Sequence, residues 1–228
     1  SVDIRLAQEI AYGTEKRKSS LEYIAKQLTP KGSLRLKSKE RLLLYTALYQ
    51  YHFMDKVPLY AITNETVQIS RKVCHPIFSR FLNAVLRSIS SKDITLPQDE
   101  QIESLVARYS YPAFYIQQII EEYGIKKGKE IFNAGNHPPI PMARMRPDSK
   151  ALEGWNIFDP APHPQGPFQM LVPPQAQALS DIYQSPDYYI QNATPAFLLG
   201  ALCQHLDSPK SILDLCASPG GKSIALHD

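Results

Sequence analysis

The sequence predicts a multidomain chain of the α plus α/β class: an all-α helical bundle over residues 1–135, a small α/β connector over 136–195, and over 196–228 the first strand, turn and helix of a further α/β domain. Three observations carry this. Helical periodicity runs unbroken in character to about Ala134, prolines crowd the stretch from His137 to Pro195, and the chain closes on an apolar run, a Pro-Gly-Gly turn and a set of helix formers. With 228 residues and 43% of them hydrophobic, there is enough apolar side chain to fill more than one core.

Taken in order, Leu6 and Ile10 and then Leu21, Ile24, Ala25 and Leu28 fall at the three-to-four spacing of a helix face, with Gly13 as a kink or break between them. Past a basic loop from Lys31 to Lys39, ERLLLYTALYQYHFM (residues 40–54) is apolar on nearly every side, the pattern of a bundle's central helix. Pro58 opens the next helix, and Pro76 sits in the first turn of HPIFSRFLNAVLRSI (75–89), where its missing N–H costs nothing. Phe78, Phe81, Leu82, Val85, Leu86 and Ile89 then form an inward stripe, and Asn83 within it reads as a structural amide. Two or three shorter helices follow from Asp99 to Ala134. In the proline-rich connector, PFQMLV (167–172) and DYYIQN (187–192) are the best strands, with QAQALSDIYQ (175–184) a helix between them. Trp155, Phe158, Phe168 and Leu171 supply apolar surface to bury there. A helix from about Pro195 to Leu206 leads into the closing strand.

Composition narrows the function classes. No apolar run approaches the ~18 residues of a membrane span, and the N-terminus has no charged-then-apolar targeting pattern, so a soluble, cytoplasmic protein without a membrane partner is expected. Cys74, Cys203 and Cys216 are far apart and form no CxxC, which argues against a disulfide framework and against a zinc site; no metal is expected. Residues 1–150 hold 23 Lys and Arg against 15 Asp and Glu, whereas 151–228 hold 2 against 7, so the basic character is confined to the first two segments. Such a basic part suits a polyanion partner, since neutralising phosphates releases counterions. A solvated, lysine-rich helical surface gives the same count, and charge alone leaves both open.

ILDLCASPGGKSIAL (212–226) places Asp214 and Cys216 at the end of an apolar run, before the glycine turn. Glycines admit a ligand close to the backbone, and the N–H groups of the turn and new helix point at it, which suits the carboxylate or ribose of a cofactor. Lys222 adds a positive group. A structural turn without a ligand would have the same sequence. The stretch is not a GxxxxGK[ST] phosphate loop, because Cys216 stands five residues before Gly221.

DLCASPGGKS (214–223) resembles the first motif, D-x-C-A-x-P-G-G-K-[TS], of the S-adenosylmethionine-dependent RNA cytosine-C5 methyltransferases of the RsmB/Sun/Fmu and NOL/NOP/Sun group. YYIQNAT (188–194) resembles the strand and turn before that motif, with Asn192 where the family usually carries an acid. DIRLAQEIAYG (3–13), ALYQYHFMDKVPLYAITNETVQISRK (47–72) and FLNAVLRSI (81–89) are similar to the NusB-like helical RNA-binding domain of the bacterial RsmB/Sun branch. RYSYPAFYIQQIIEEYG (108–124) and NHPPIPMARMRP (136–147) resemble its connecting segment, which leads into a small RNA-recognition-like subdomain.

The resemblance implies that the closing segment begins a Rossmann-type methyltransferase domain, and that Cys216, Ala217, Ser218, Pro219, Gly220, Gly221 and Lys222 wrap the methionine part of S-adenosylmethionine. It implies a ribosomal RNA partner, of the small subunit, and the covalent chemistry that a poor carbon nucleophile needs: a cysteine thiolate adds to cytosine C6, C5 takes the methyl group, and loss of the C5 proton expels the enzyme. In the family that cysteine lies in a T-C motif and an assisting one in a P-C motif, both well downstream of the glycine turn; neither dipeptide occurs here, so no catalytic residue is assigned. The chain is therefore expected to be a fragment clipped at both ends, inactive alone and binding the cofactor weakly or not at all, with its last thirty or so residues poorly ordered or cofolded with another chain. Arg5, Lys37, Lys39, Arg41, Arg71, Lys72 and Arg87 are the expected RNA backbone contacts in the helical domain, and Arg144 and Arg146 in the connector. Tyr45, Tyr49, Tyr51 and Phe53 read as core and bundle surface. Two other functions stay open: a non-enzymatic NusB-like RNA-binding module in transcription or ribosome assembly, and a pseudoenzyme that keeps the glycine turn for structure.

Overall fold

The computed structural model describes residues 2–29, 35–92, 94–139, 141–146, 149–150, 152–158, 170–173, 182–183, 185–203 and 211–227. The chain divides into two units, Ser1–His137 and Pro138–Asp228. In the first, the helical periodicity takes form as α1 (Val2–Lys16), α2 (Lys18–Leu28), α3 (Ser38–Phe53), α4 (Leu59–Val73), α5 (Pro76–Ser88) with a 3₁₀ turn at Ile89–Ser91, α6 (Ile102–Tyr109) and α7 (Ala113–Asn136). α3 is the central helix, packed by α1, α2, α4 and α5. It buries Leu44, Tyr45, Ala47, Leu48 and Tyr49 against the α2 face of Leu21, Ile24, Ala25 and Leu28 and the α5 stripe of Phe78, Leu82, Val85, Leu86 and Ile89. Phe81 is half-buried at the edge of that core. A second cluster joins α6 to α7 through Leu105, Ile116 and Phe132, with Tyr109, Tyr111 and Tyr115 around the Phe132 ring.

Gly13 does not break α1, which runs on to Lys16. Its role is close approach: a Cβ there would lie 2.0 Å from Cζ and 2.1 Å from Oη of Tyr49, so the Tyr49 ring occupies the space a side chain would need. The helix breaks instead at Gly124 in α7, whose φ of +77° is non-helical and favours glycine. Two polar contacts, one buried and one partly buried, tie the helices together. Ser70 Oγ donates to Ser79 Oγ at 2.9 Å between α4 and α5, and the Ser20 backbone N–H donates to Ser110 Oγ at 3.0 Å.

The second unit holds a four-stranded antiparallel sheet of β1 (Ala143–Met145), β2 (Asn156–Phe158), β3 (Met170–Val172) and β4 (Tyr188–Ile190), in the order β2-β3-β1-β4. β3 and β4 fall within the two strands expected of the connector; β1 and β2 were not anticipated. Arg144 stands in register with Met170 on one side and Tyr189 on the other. α8 (Ala193–Cys203) and α9 (Gly221–His227) follow. Met170 of β3, Ala196 and Leu199 of α8 and Ala225 of α9 form the buried centre of this unit. Lys31, Phe168 and Leu206 and most of the helix expected at 175–184 lie outside the described residues.

One expected element is absent from the described residues. Residues 212–216 form no strand: 211–214 carry no regular structure and 215–216 lie in a turn, with Leu213 and Leu215 exposed by 82% and 86%. A strand needs a neighbour to pair with, and no described strand flanks this one. The backbone closes on itself instead, around the Asp214 side chain. Among the described residues, no helix is long and apolar enough to cross a membrane.

Candidate functional site

Two places gather the residues singled out in the sequence. At the glycine turn, Asp214 organises the backbone: its Oδ1 accepts from the Cys216 N–H at 3.0 Å and its Oδ2 from Ser223 Oγ at 2.9 Å. The Ser218–Pro219 peptide is cis, the Gly220 N–H donates to the Ala217 carbonyl, and Gly220 has φ of +107°, a conformation that side chains disfavour. Gly221 opens α9 directly under the sheet. A Cβ there would meet Tyr189 Cε1 at 2.7 Å and Gln191 Nε2 at 3.1 Å, and Tyr189 Oη donates to the Pro219 carbonyl at 3.3 Å. Lys222 folds back over the turn, its Nζ donating to the Cys216 carbonyl at 2.7 Å. Cys216, Ala217, Ser218 and Pro219 are exposed. The turn is thus ordered by its own hydrogen bonds and open on its outer side.

Arg144 sits behind this turn, not on the surface. It is 0% exposed, its Nε donates to Gln191 Oε1 at 3.2 Å, and its guanidinium lies 6.0 Å from the Tyr189 ring centre. Burial removes it from the exposed position expected of an RNA contact and makes it a brace for β4, the strand on which the turn rests. Arg146 is half-buried, and its Nη1 donates to the Pro186 carbonyl at 3.4 Å.

In the helical unit Arg5, Lys37, Lys39, Arg41, Arg71, Lys72 and Arg87 are all exposed. Lys37 caps α3, its N–H donating to Glu40 Oε2 at 2.9 Å, and Arg41 Nη2 donates to the Leu36 carbonyl at 3.4 Å. Arg71, in the last turn of α4, and Arg87, in the last turn of α5, line one cleft of about 490 Å³ together with Asn83. A second cleft, of about 350 Å³, is lined by Arg71, Asn83, Pro76, Ser79 and Arg80. Arg80 was missed in the sequence, where nothing separates it from other surface arginines; only the packing of α5 on α4 brings it to Arg71. Arg5, Lys37, Lys39, Arg41 and Lys72 do not line these clefts. Asn83 faces both clefts from a half-buried position. The stacked Tyr49 and Phe53 rings, 5.7 Å apart, and the Tyr45 side chain belong to the core or its edge, in line with their structural reading.

A model of the NusB family matches residues 1–91. Nearly the whole chain is similar to two curated proteins. A probable ribosomal RNA small subunit methyltransferase B of Bacillus subtilis is 28% identical over 236 residues, covering 98% of this chain and 51% of the relative. A ribosomal RNA small subunit methyltransferase B of Vibrio cholerae is 29% identical, with 97% and 51% covered. The chain thus spans about half the length of the curated relatives it matches. Among solved structures, the crystal structure of PH0851 is similar in fold, with a TM-score of 0.59 at 19% identity over 97% of this chain and 51% of that one.

Proposed function

From a chain that carries a NusB domain and is related over nearly all its length to small-subunit ribosomal RNA methyltransferases B, we propose that these 228 residues are the RNA-binding and cofactor-entry part of a ribosomal RNA cytosine-C5 methyltransferase. The observation that carries the proposal is the glycine turn of Cys216 to Lys222, standing in one chain with a basic helical domain, since a binding module alone has no use for a cofactor loop. On this reading residues 1–135 bind RNA, 136–195 connect, and 196–228 open the methyltransferase domain.

S-adenosylmethionine, when bound, supplies an electrophilic methyl group. What this chain contributes is position. Asp214 holds the Cys216–Lys222 turn, Gly221 lets the sheet approach the backbone, and the turn from Cys216 to Lys222 would hold the methionine part of the cofactor. Arg144 and Tyr189 keep the turn on the sheet from behind. The exposed apolar side chains of Ile212, Leu213, Leu215, Leu198 and Leu202 are surface that neighbouring strands and helices of such a domain would cover. The thiolate nucleophile belongs to residues outside these 228, which contain no T-C or P-C dipeptide.

The expected behaviour is specific. The 228-residue chain binds small-subunit ribosomal RNA, shows no micromolar heat of binding with S-adenosylmethionine, and transfers no tritiated methyl group. The whole gene product labels cytosine at C5. Methyl transfer by the 228 residues alone, or label on any other atom of the RNA by the whole product, refutes the proposal.

A further inference from the structure

The two clefts on the α4–α5 face are neighbours, since Arg71 and Asn83 line both. The larger, at about 490 Å³, falls within the ~300–1,000 Å³ usual for small-molecule sites. Its floor is apolar, from Leu59, Val67 and Leu86, and its rim carries Asn64, Gln68, Arg71 and Arg87. Tyr60 stands at its mouth, 78% exposed. No carboxylate lines either cleft. The ion pairs among the described residues are made by Lys18, Lys26, Lys127 and Lys129, and none by Arg71, Arg80 or Arg87. Arg71 and Arg87 in one cleft and Arg71 and Arg80 in the other, with no acid lining either, give this face a positive potential that attracts an anion.

The remaining groups identify the anion. Gln68 Nε2 donates to Asn64 Oδ1 at 3.2 Å, which leaves the Asn64 amide N–H₂ and the Gln68 carbonyl to face a ligand; Asn83 offers a third amide. Amide donors and acceptors beside an exposed aromatic ring and paired arginines are the chemistry that grips an unstacked nucleotide, with the ring taking the base face, the amides its edge and the guanidinium forks its phosphates. We propose that this double cleft seats one unpaired nucleotide of single-stranded RNA and the phosphate that follows it, the base against Tyr60 in the larger cleft and the phosphates between Arg71, Arg80 and Arg87. The proposal rests on the RNA-binding reading above and adds where on the helical unit the strand is held and in what form.

The test is a fluorescence anisotropy titration of the 228-residue chain with a short, labelled, unstructured RNA oligonucleotide, over roughly 50 to 200 mM salt. Arg71→Gln with Arg87→Gln is expected to flatten the slope of log affinity against log salt by about 1.4, at about 0.7 for each phosphate no longer neutralised. Tyr60→Ala is expected to weaken binding about tenfold with the slope unchanged. Lys126→Gln with Lys127→Gln, on α7, changes the net charge equally and is expected to leave the slope alone. All the substituted residues are exposed, and unchanged circular dichroism confirms that the variants fold. Wild-type RNA binding that persists unaltered in the Arg71/Arg87 and Tyr60 variants overturns the cleft while leaving the RNA-binding reading in place. Absence of RNA binding by the wild-type chain overturns both, and an acidic peptide that binds this cleft more tightly than the RNA overturns the nucleotide assignment.

Discussion

Gly13→Ala tests the packing at the centre of the helical unit. In an exposed helix interior this change stabilises by about 1 kcal/mol, since alanine is the better helix former. Here the new Cβ would fall 2.0 Å from Tyr49 Cζ and 2.6 Å from Cε1. Carbon atoms approach to about 3.5 Å at best, so the ring has to retreat by more than an ångström. Tyr49 is only 6% exposed, stacks on Phe53 and donates from Oη to Glu9 Oε1 at 2.6 Å, so it has no free direction to move. Losing a hydrogen bond to a carboxylate costs about 1.5–3 kcal/mol, and overpacking costs about 1–3 kcal/mol. Set against the propensity gain, the net destabilisation is about 3 kcal/mol. Urea unfolding followed by far-ultraviolet circular dichroism reads it as a lower midpoint with little change in slope. The decisive comparison is the Tyr49→Ala background, where the ring is gone and Gly13→Ala should turn stabilising, by about 0.5–1 kcal/mol. Stabilisation by the same amount in the wild-type background would refute the account of Gly13 as a seat for Tyr49.

Two further outcomes follow from buried polar groups. Arg144→Ala should destabilise the second unit by about 2–4 kcal/mol, seen in the fluorescence of Trp155, the chain's single tryptophan, with the helical signal little changed; Arg144→Lys should not restore it, because an ammonium lacks the planar fork that meets both Gln191 and the Tyr189 ring. His52, whose buried Nε2 has no hydrogen-bond partner among the described residues, has its pKa lowered by burial, so the folded state favours the neutral ring. Its contribution to stability is complete above the unfolded value of 6.5 and is lost as pH falls below that value toward the folded one. Asp99, held below the ordinary range by Ser104 Oγ and the Gln101 N–H, stays ionised in that window, and His52→Leu should flatten the fall in urea midpoint between pH 7 and about 5.

The elements that the sequence made legible are those whose signal is local. The stripe of α5 and the apolar face of α2 repeat within one helix, and Pro76 marks where α5 begins. Pro-Gly-Gly marks its turn in the same way, and Gly220 adopts the positive φ that such a turn needs. What stayed hidden depends on residues distant in the chain. Gly13 reads as a helix breaker until Tyr49 is seen to fill its place. The Ala-Arg-Met of β1 is three residues long with a charge in the middle, so it reads as surface until Gln191 and Tyr189 close over Arg144. The reverse error occurred at 212–216, where an apolar run reads as a buried strand although a ladder exists only if another strand supplies its other half. At the candidate interface, Arg71 and Arg87 were visible as basic helix ends, but their convergence with Arg80 and Asn83 belongs to the crossing of two helices.

The seat of Gly221 beneath Tyr189 has a bearing on how this region tolerates changes in length. Side chains along β4 alternate between faces, so Tyr189 points toward the glycine turn while Tyr188, whose Oη donates to the Lys150 carbonyl, is spoken for elsewhere. Inserting or deleting one residue within β4 ahead of Tyr189 would turn that ring away and remove both its bond to the Pro219 carbonyl and its contact with the Arg144 guanidinium in a single step. A change of two residues would restore the face and shift only the register. Natural variation in length should therefore collect in the segments before Asp187 and after Gln191, and within β4 it should come in pairs.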